Sequence, residues 1–244
     1  MPSDICIFKR VEKKYLLDDQ TFRKFFRQIR GYLIADPHGK STICNLYLDT
    51  PDSRLIRNSI DAQTYKEKLR LRSYGIPSAD SSVYLEIKKK FDGIVYKRRV
   101  SMTLREANEY VLFRKKPVDT QIMREIDYTM RYYGWPLPMM YLSYVREAFY
   151  SEQIPTLRLT FDTDIQYRET ALSLEAGVFG EKLITGGIYL LEIKTEGAMP
   201  LWLSHALDEN KIYPTSFSKY GTAYLKTLHE NRISAKKKGE FIYA

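Results

Sequence analysis

The sequence predicts an α+β fold: a closed antiparallel β-barrel of about eight strands enclosing a basic-lined tunnel, with helices packed outside. Three observations predict it. Ionisable and apolar residues alternate along nearly every extended run, so that one face of each strand is charged. Asp92-Gly93 separates two such runs, and a glycine there allows the positive φ that a tight hairpin turn needs. Amphipathic stretches with helical spacing fall between the strand runs.

Taken in order, strands are expected at 8–16, 43–49, 64–74, 82–90, 94–102, 141–149, 156–164 and 188–195, each rich in β-branched or aromatic residues and bounded by turn formers. Segment 18–34 opens on two aspartates and carries Phe22, Phe25, Phe26 and Ile29 at helical spacing. Segment 104–115 repeats that spacing through Leu104, Ala107, Val111 and Leu112, and 119–134 reads as a further helix ending at Gly134-Trp135-Pro136. Segments 200–211 and 216–231 complete the helices. No low-complexity linker interrupts the chain, so residues 1–244 are expected to form a single domain with a basic tail at about 232–244.

Composition narrows the function classes. With 44% hydrophobic residues the chain has material for a core. No apolar run approaches the ~18 residues of a membrane span, and Met1–Arg10 does not read as a signal peptide, so a cytoplasmic protein is expected. Cys6 and Cys44 have neither metal-ligand nor redox spacing and are read as buried thiols. The net charge of +9 points to an anionic partner, although Arg232, Lys236, Lys237 and Lys238 supply almost half of it. His38, His205 and His229 have no partner spacing and receive no role. The 20 tyrosines are read as packing residues, Tyr144 excepted.

The chemistry lies in the strand parity. Lys68, Arg70 and Arg72 share one face, with Leu69 and Leu71 on the other; Glu86, Lys88 and Lys90 stand against Leu85 and Ile87. Lys97 and Arg99 repeat the pattern, Arg146 follows Tyr144 at spacing two, Asp162 and Asp164 follow Arg158, Glu192 pairs with Lys194, and Arg10, Glu12 and Lys14 fall in line near the start. Antiparallel sheets often present such a face to water. Here, however, neighbouring strands carry mostly like charges, which repel unless an anion lies between them. Converging on a lumen, the cations would hold phosphate oxygens, while Glu192 or Glu12 could bind a hard divalent ion. Asp162 and Asp164 read equally as secondary metal-side carboxylates or as strand-end turn residues. A Gly-x4-Gly-Lys-Ser/Thr loop is absent, which excludes the P-loop route to a nucleotide.

Six motifs in order resemble the polyphosphate polymerase domain of the vacuolar transporter chaperone family, within the triphosphate tunnel metalloenzymes, over about residues 8–228. They are Lys-Leu-Arg-Leu-Arg-Ser-Tyr-Gly at 68–75, Leu-Glu-Ile-Lys-Lys-Lys at 85–90, Val-Tyr-Lys-Arg-Arg-Val at 95–100, Tyr-Val-Arg at 144–146, Leu-Glu-Ile-Lys at 191–194 and Phe-Ser-Lys-Tyr at 217–220. The resemblance implies that Arg70, Arg72, Lys88, Lys97, Arg99 and Arg146 contact phosphates and that Tyr144 borders the base. By the same resemblance Ser218 and Lys219 reach the terminal phosphate, Lys14 joins the phosphate-binding set, and Glu192 binds the metal. Lys219, Arg72 and Lys88 are then expected to act on the transferring phosphoryl group. Glu12-Lys13-Lys14 fits the superfamily's acidic phrase except at Arg10, a departure that the polymerase branch shares.

The activity that the resemblance implies is that of a polymerase, which transfers the ATP γ-phosphate to a growing polyphosphate chain with Mn²⁺ or Mg²⁺. Its partners are ATP and polyphosphate, with no specific nucleic acid and with room for a separate membrane partner. The alternatives are an inorganic triphosphatase or polyphosphatase of the same fold, and a non-catalytic module that binds polyphosphate or nucleic acid through charge alone.

Overall fold

The computed structural model describes residues 7–8, 11–61, 64–92 and 94–237. Cys6, Arg10, Gly93 and Lys238 lie outside the described residues. The strands are β1 (Ile7–Phe8), β2 (Val11–Leu17), β3 (Ile34–Asp49), β4 (Tyr65–Tyr74), β5 (Ser82–Phe91), β6 (Ile94–Thr103), β7 (Leu137–Tyr150), β8 (Arg158–Arg168), β9 (Glu181–Lys182) and β10 (Tyr189–Thr195). The helices are α1 (Asp19–Ile29), α2 (Arg54–Ile60), α3 (Leu104–Phe113), α4 (Gln121–Tyr132), α5 (Leu201–Glu209) and α6 (Lys219–Lys237).

All the strands join one antiparallel sheet in the order β1-β6-β5-β4-β3-β7-β8-β10-β2, with β9 paired to β8. The expected closed barrel is therefore corrected to an open sheet. β1 pairs only with β6 and β2 only with β10, and among the described residues no ladder joins the two ends. Closure needs the first and last strands to share a ladder, and side-chain parity reports only which residues share a face. The open sheet still curls. Lys88 on β5 comes within 3.9 Å of Glu12 on β2, six places away in the strand order.

Local chemistry explains most element boundaries. Asp18 caps α1 by accepting from the Thr21 N–H at 2.7 Å, and Thr103 forms a capping box with Glu106 at the start of α3. Segment 18–34 does not stay helical to its end; the α-helix stops at Ile29, a 3-10 turn follows over Arg30–Tyr32, and Ile34 already opens β3. In the other direction, residues 232–237 of the expected tail continue α6. The short helix α2 was not expected. Its cap is Asp49, fully buried, whose carboxylate accepts from the N–H groups of Leu55 at 2.9 Å and Ile56 at 3.0 Å. A cap that acts from the end of a preceding strand leaves no contiguous signature.

Burial of the apolar parity accounts for the core. Leu46, Leu69, Leu71, Leu85 and Ile87 pack under α3 and α4, through Ala107, Tyr110, Met123 and Ile126. Tyr15, Leu17, Leu159, Phe161, Leu191 and Ile193 pack under α1 and α5, through Phe25, Ile29, Leu203 and Ala206. These four helices cover one side of the sheet. The beginning of α6 meets the opposite parity, where Tyr220 stacks on Tyr47 with ring centroids 4.3 Å apart and Ala223 joins Leu142 and Tyr144 in a third cluster.

Candidate phosphate-binding site

Ladder register places the charged residues opposite one another. Glu86 faces Arg70 across one ladder and Arg99 across the other; Lys88 likewise faces Lys68 and Lys97. In the other half of the sheet Arg146 faces Asp162, and Glu192 faces Lys14 and Thr160. Cations outnumber carboxylates here: Lys14, Lys68, Arg70, Arg72, Lys88, Lys97, Arg146, Lys194 and Lys219 meet Glu12, Glu86, Asp162 and Glu192.

On β4, β5 and β6 the arrangement is built round Glu86, which is 1% exposed. Arg70 grips its Oε2 with Nε at 2.9 Å and Nη2 at 2.8 Å, and donates to the Tyr47 hydroxyl at 3.2 Å. Lys97 lies 2.7 Å from Oε1. Burial pushes the Glu86 carboxyl up, but Arg70, Arg72 and Lys97 together outweigh it and bring it down to about 2. Burial also lowers Lys68 and Lys97, each to about 8, and lowers Lys88. Such lysines gain most from an anion that restores the stabilisation water no longer provides.

The second half gathers around Glu192 and Asp162. Arg146 makes a fork to Asp162 at 2.6 and 2.7 Å and reaches Glu192 at 3.2 Å. Lys219 Nζ sits 2.5 Å from Asp162 and 3.2 Å from Glu192. For Glu192, burial is again the largest influence, yet Lys219, Lys194, Arg146 and Lys14 hold its carboxyl well below the usual range. Asp162 and Glu192 in turn raise Lys219 against the effect of its own burial.

Chain segment 215–218 delivers Ser218 and Lys219. The Thr215 N–H donates to the Lys14 carbonyl at 2.7 Å, and Lys14 Nζ donates to the Phe217 carbonyl at 3.0 Å. The Ser218 hydroxyl accepts from the Gly221 N–H at 3.1 Å, capping α6, and from Lys68 Nζ at 2.8 Å. Tyr144 connects the two halves: its hydroxyl accepts from Arg72 Nη2 at 3.1 Å, while Arg146 and Lys219 lie 5.1 and 4.4 Å from its ring centre.

Of the residues expected from sequence, Lys14, Arg70, Arg72, Lys88, Lys97, Tyr144, Arg146, Glu192, Ser218 and Lys219 therefore come together. Arg99 is exposed, with its guanidinium 4.9 Å from the Tyr84 ring centre. Asp164 leaves the shared parity. It has φ 49° and lies with Ile165 on a bulge opposite Tyr144, so its carboxylate is exposed and 3.9 Å from Lys182. Sequence reading missed Lys68 and Lys194 as site residues, although both follow from spacing two to Arg70 and Glu192. It also missed Asn45, whose Oδ1 accepts from Arg72 Nε at 3.0 Å and which only the β3–β4 register reveals.

A divalent ion is tested by the donors. Among the described residues no group of three or more His, Cys, Asp or Glu could cage a metal. A hard ion that brings phosphate oxygens with it needs only one or two carboxylates, and ionised Glu192 supplies one, whereas Asp162 is fully buried with both oxygens on Arg146 and Lys219. The donor set fits an ion that arrives on a phosphate rather than one held by protein alone.

The profile described as the VTC domain matches residues 9–228. No curated protein matches the chain. Among solved structures, a candidate adenylate cyclase from Bacillus halodurans is 16% identical, with 86% of this chain and 94% of that one covered and a TM-score of 0.52. A second candidate adenylate cyclase, from Vibrio parahaemolyticus, is 12% identical over 90% and 99% of the two chains, with a TM-score of 0.48. At such identity the first likeness is one of fold. No described helix is long and apolar enough to cross a membrane.

Proposed function

The chain belongs to the VTC-domain family, and from that premise we propose that it is a polyphosphate polymerase that transfers the terminal phosphoryl group of ATP to the end of a polyphosphate chain. The observation that carries this reading is the continuous run of cations from Lys97 through Arg70 and Arg72 to Arg146 and Lys219, joined at Tyr144. Phosphoryl transfer needs positioning and charge stabilisation more than it needs an acid, a base or a nucleophile of the protein.

In the proposed reaction the bond between the γ-phosphorus and its bridging oxygen breaks, and ADP leaves with the electron pair. An oxygen of the chain's terminal phosphate forms the new bond to phosphorus. Arg70, Arg72, Lys88 and Lys97 hold non-bridging oxygens, the arginines through the N–H groups that Glu86, Tyr47, Asn45 and Tyr144 leave free and the lysines as point charges. Lys219 and Arg146 face the transferring group, oriented by Asp162. Glu192 would hold Mn²⁺ or Mg²⁺, which when bound neutralises phosphate charge.

The test is incubation with ATP and Mn²⁺, with products resolved on a gel. A ladder of long chains is the expected result; orthophosphate alone assigns the site to hydrolysis and overturns the polymerase. Glu192→Ala is expected to abolish turnover while tripolyphosphate still binds. Turnover indifferent both to that substitution and to a chelator removes the metal-assisted reading.

A further inference from the structure

We infer that Glu86 is a positioning residue, which fixes the Arg70 fork and the Lys97 ammonium in the geometry that receives phosphate. The inference rests on the phosphate reading of the site and deepens it. Glu86 is the carboxylate at the centre of the most cationic strands, and its two oxygens are divided between partners. Oε2 takes both Arg70 nitrogens in hydrogen bonds at 2.9 and 2.8 Å, and Oε1, which accepts no hydrogen bond of good geometry, is ion-paired with Lys97 at 2.7 Å. Arg72 stands 3.9 Å away, held instead by Asn45 and Tyr144. An anion site that places a buried acid among its donors loses net positive charge by doing so. That loss is offset only if the acid orients those donors before the ligand arrives.

The same contact keeps Lys97 charged. The charged groups that act on its ammonium are Glu86 on β5 and Arg70 and Arg72 on β4, and its register partner on β5 is Lys88. Burial brings Lys97 to about 8 and Glu86 opposes that fall, whereas Arg70 and Arg72 add to it. Without Glu86 the ammonium would lose its proton at lower pH. Lys68, also near 8, feels Tyr47, Lys14, Lys88 and Arg70 and should titrate where it does now.

The experiment is calorimetric titration of tripolyphosphate into wild type and Glu86→Gln from pH 5.5 to 9. Charge counting alone predicts that Glu86→Gln binds more tightly, since it removes a negative charge from a basic site. Positioning predicts the reverse: about tenfold or greater weakening at pH 6, the scale of one charged hydrogen bond. It also predicts a loss of affinity that begins at lower pH than in wild type. Adding Lys97→Arg, which cannot deprotonate, is expected to remove that shift while leaving the deficit at pH 6. Glu86→Gln binding as tightly as wild type or tighter at every pH overturns the inference while the phosphate site stands. Wild type failing to bind removes both. If Glu86→Gln does not fold, Glu86→Asp replaces it: the charge is kept but withdrawn by one methylene. Weaker binding without the pH shift is then expected, and unchanged binding overturns the inference.

Discussion

Tyr144 has a part that neither its hydroxyl nor its ring plays alone. The hydroxyl accepts from Arg72 in one half of the site, and the ring lies beneath Arg146 and Lys219 of the other. Tyr144→Phe is therefore expected to leave Arg72 held by Asn45 alone and to weaken tripolyphosphate binding by about tenfold, whereas Tyr144→Ala loses the cation–π support too and weakens it further. Titration of both variants checks this; equal effects would place all the contribution in the hydroxyl. At this scale the sequence was informative because alternation assigns faces: Arg70, Arg72, Lys88, Lys97 and Glu192 all meet where their parity put them. It said little about partners. That Glu86 rather than Glu192 receives the Arg70 fork depends on the register of three strands, which no single strand contains.

Among the elements, β8 carries the most instructive departure. Asp162 and Asp164 share a parity in sequence, yet the bulge at Asp164 breaks the alternation so that Asp162, Ile165 and Tyr167 all face the site side. The φ of 49° at Asp164 lies in the left-handed region, where a β-branched residue costs roughly 1–2 kcal/mol and glycine nothing. Asp164→Val is thus expected to lower unfolding free energy by about that much, and Asp164→Gly to leave it nearly unchanged, in denaturant melts; the opposite order would remove the bulge account. Long, strongly alternating strands such as β4, β5 and β6 were legible within a residue or so of their ends. The 16-residue β3 was read only over its second half, because Pro37 and Gly39 look like breakers and sit where its ladder with β7 is irregular. Asp49 hid α2 by capping it from a strand end.

For the molecule as a whole, charge and topology carry different information. Alternation announced that cations share a face, and they do, but the sheet stays open and reaches across itself only through pairs such as Lys88 and Glu12. That concentration of half-buried cations has a cost. Lys68 and Lys97 fall from 10.5 to about 8 on folding, so between those values the unfolded chain binds more protons and stability rises with pH. Below about pH 8 the cost is fully present, and a bound polyanion offsets it by mass action. The same lysines lose their charge above pH 8, so phosphate affinity is expected to decline there. The most direct measurement is a calorimetric titration of tripolyphosphate at pH 7 into wild type, the Arg70→Ser/Arg72→Ser double variant, and a control, Arg105→Ser, on the exposed start of α3. Wild type and the control are expected to bind alike, with affinity falling as salt rises, and the double variant at least a hundredfold more weakly, two charged hydrogen-bonding groups at about tenfold each. Equal affinity in all three proteins would show that the charged face of the sheet is not where phosphate binds.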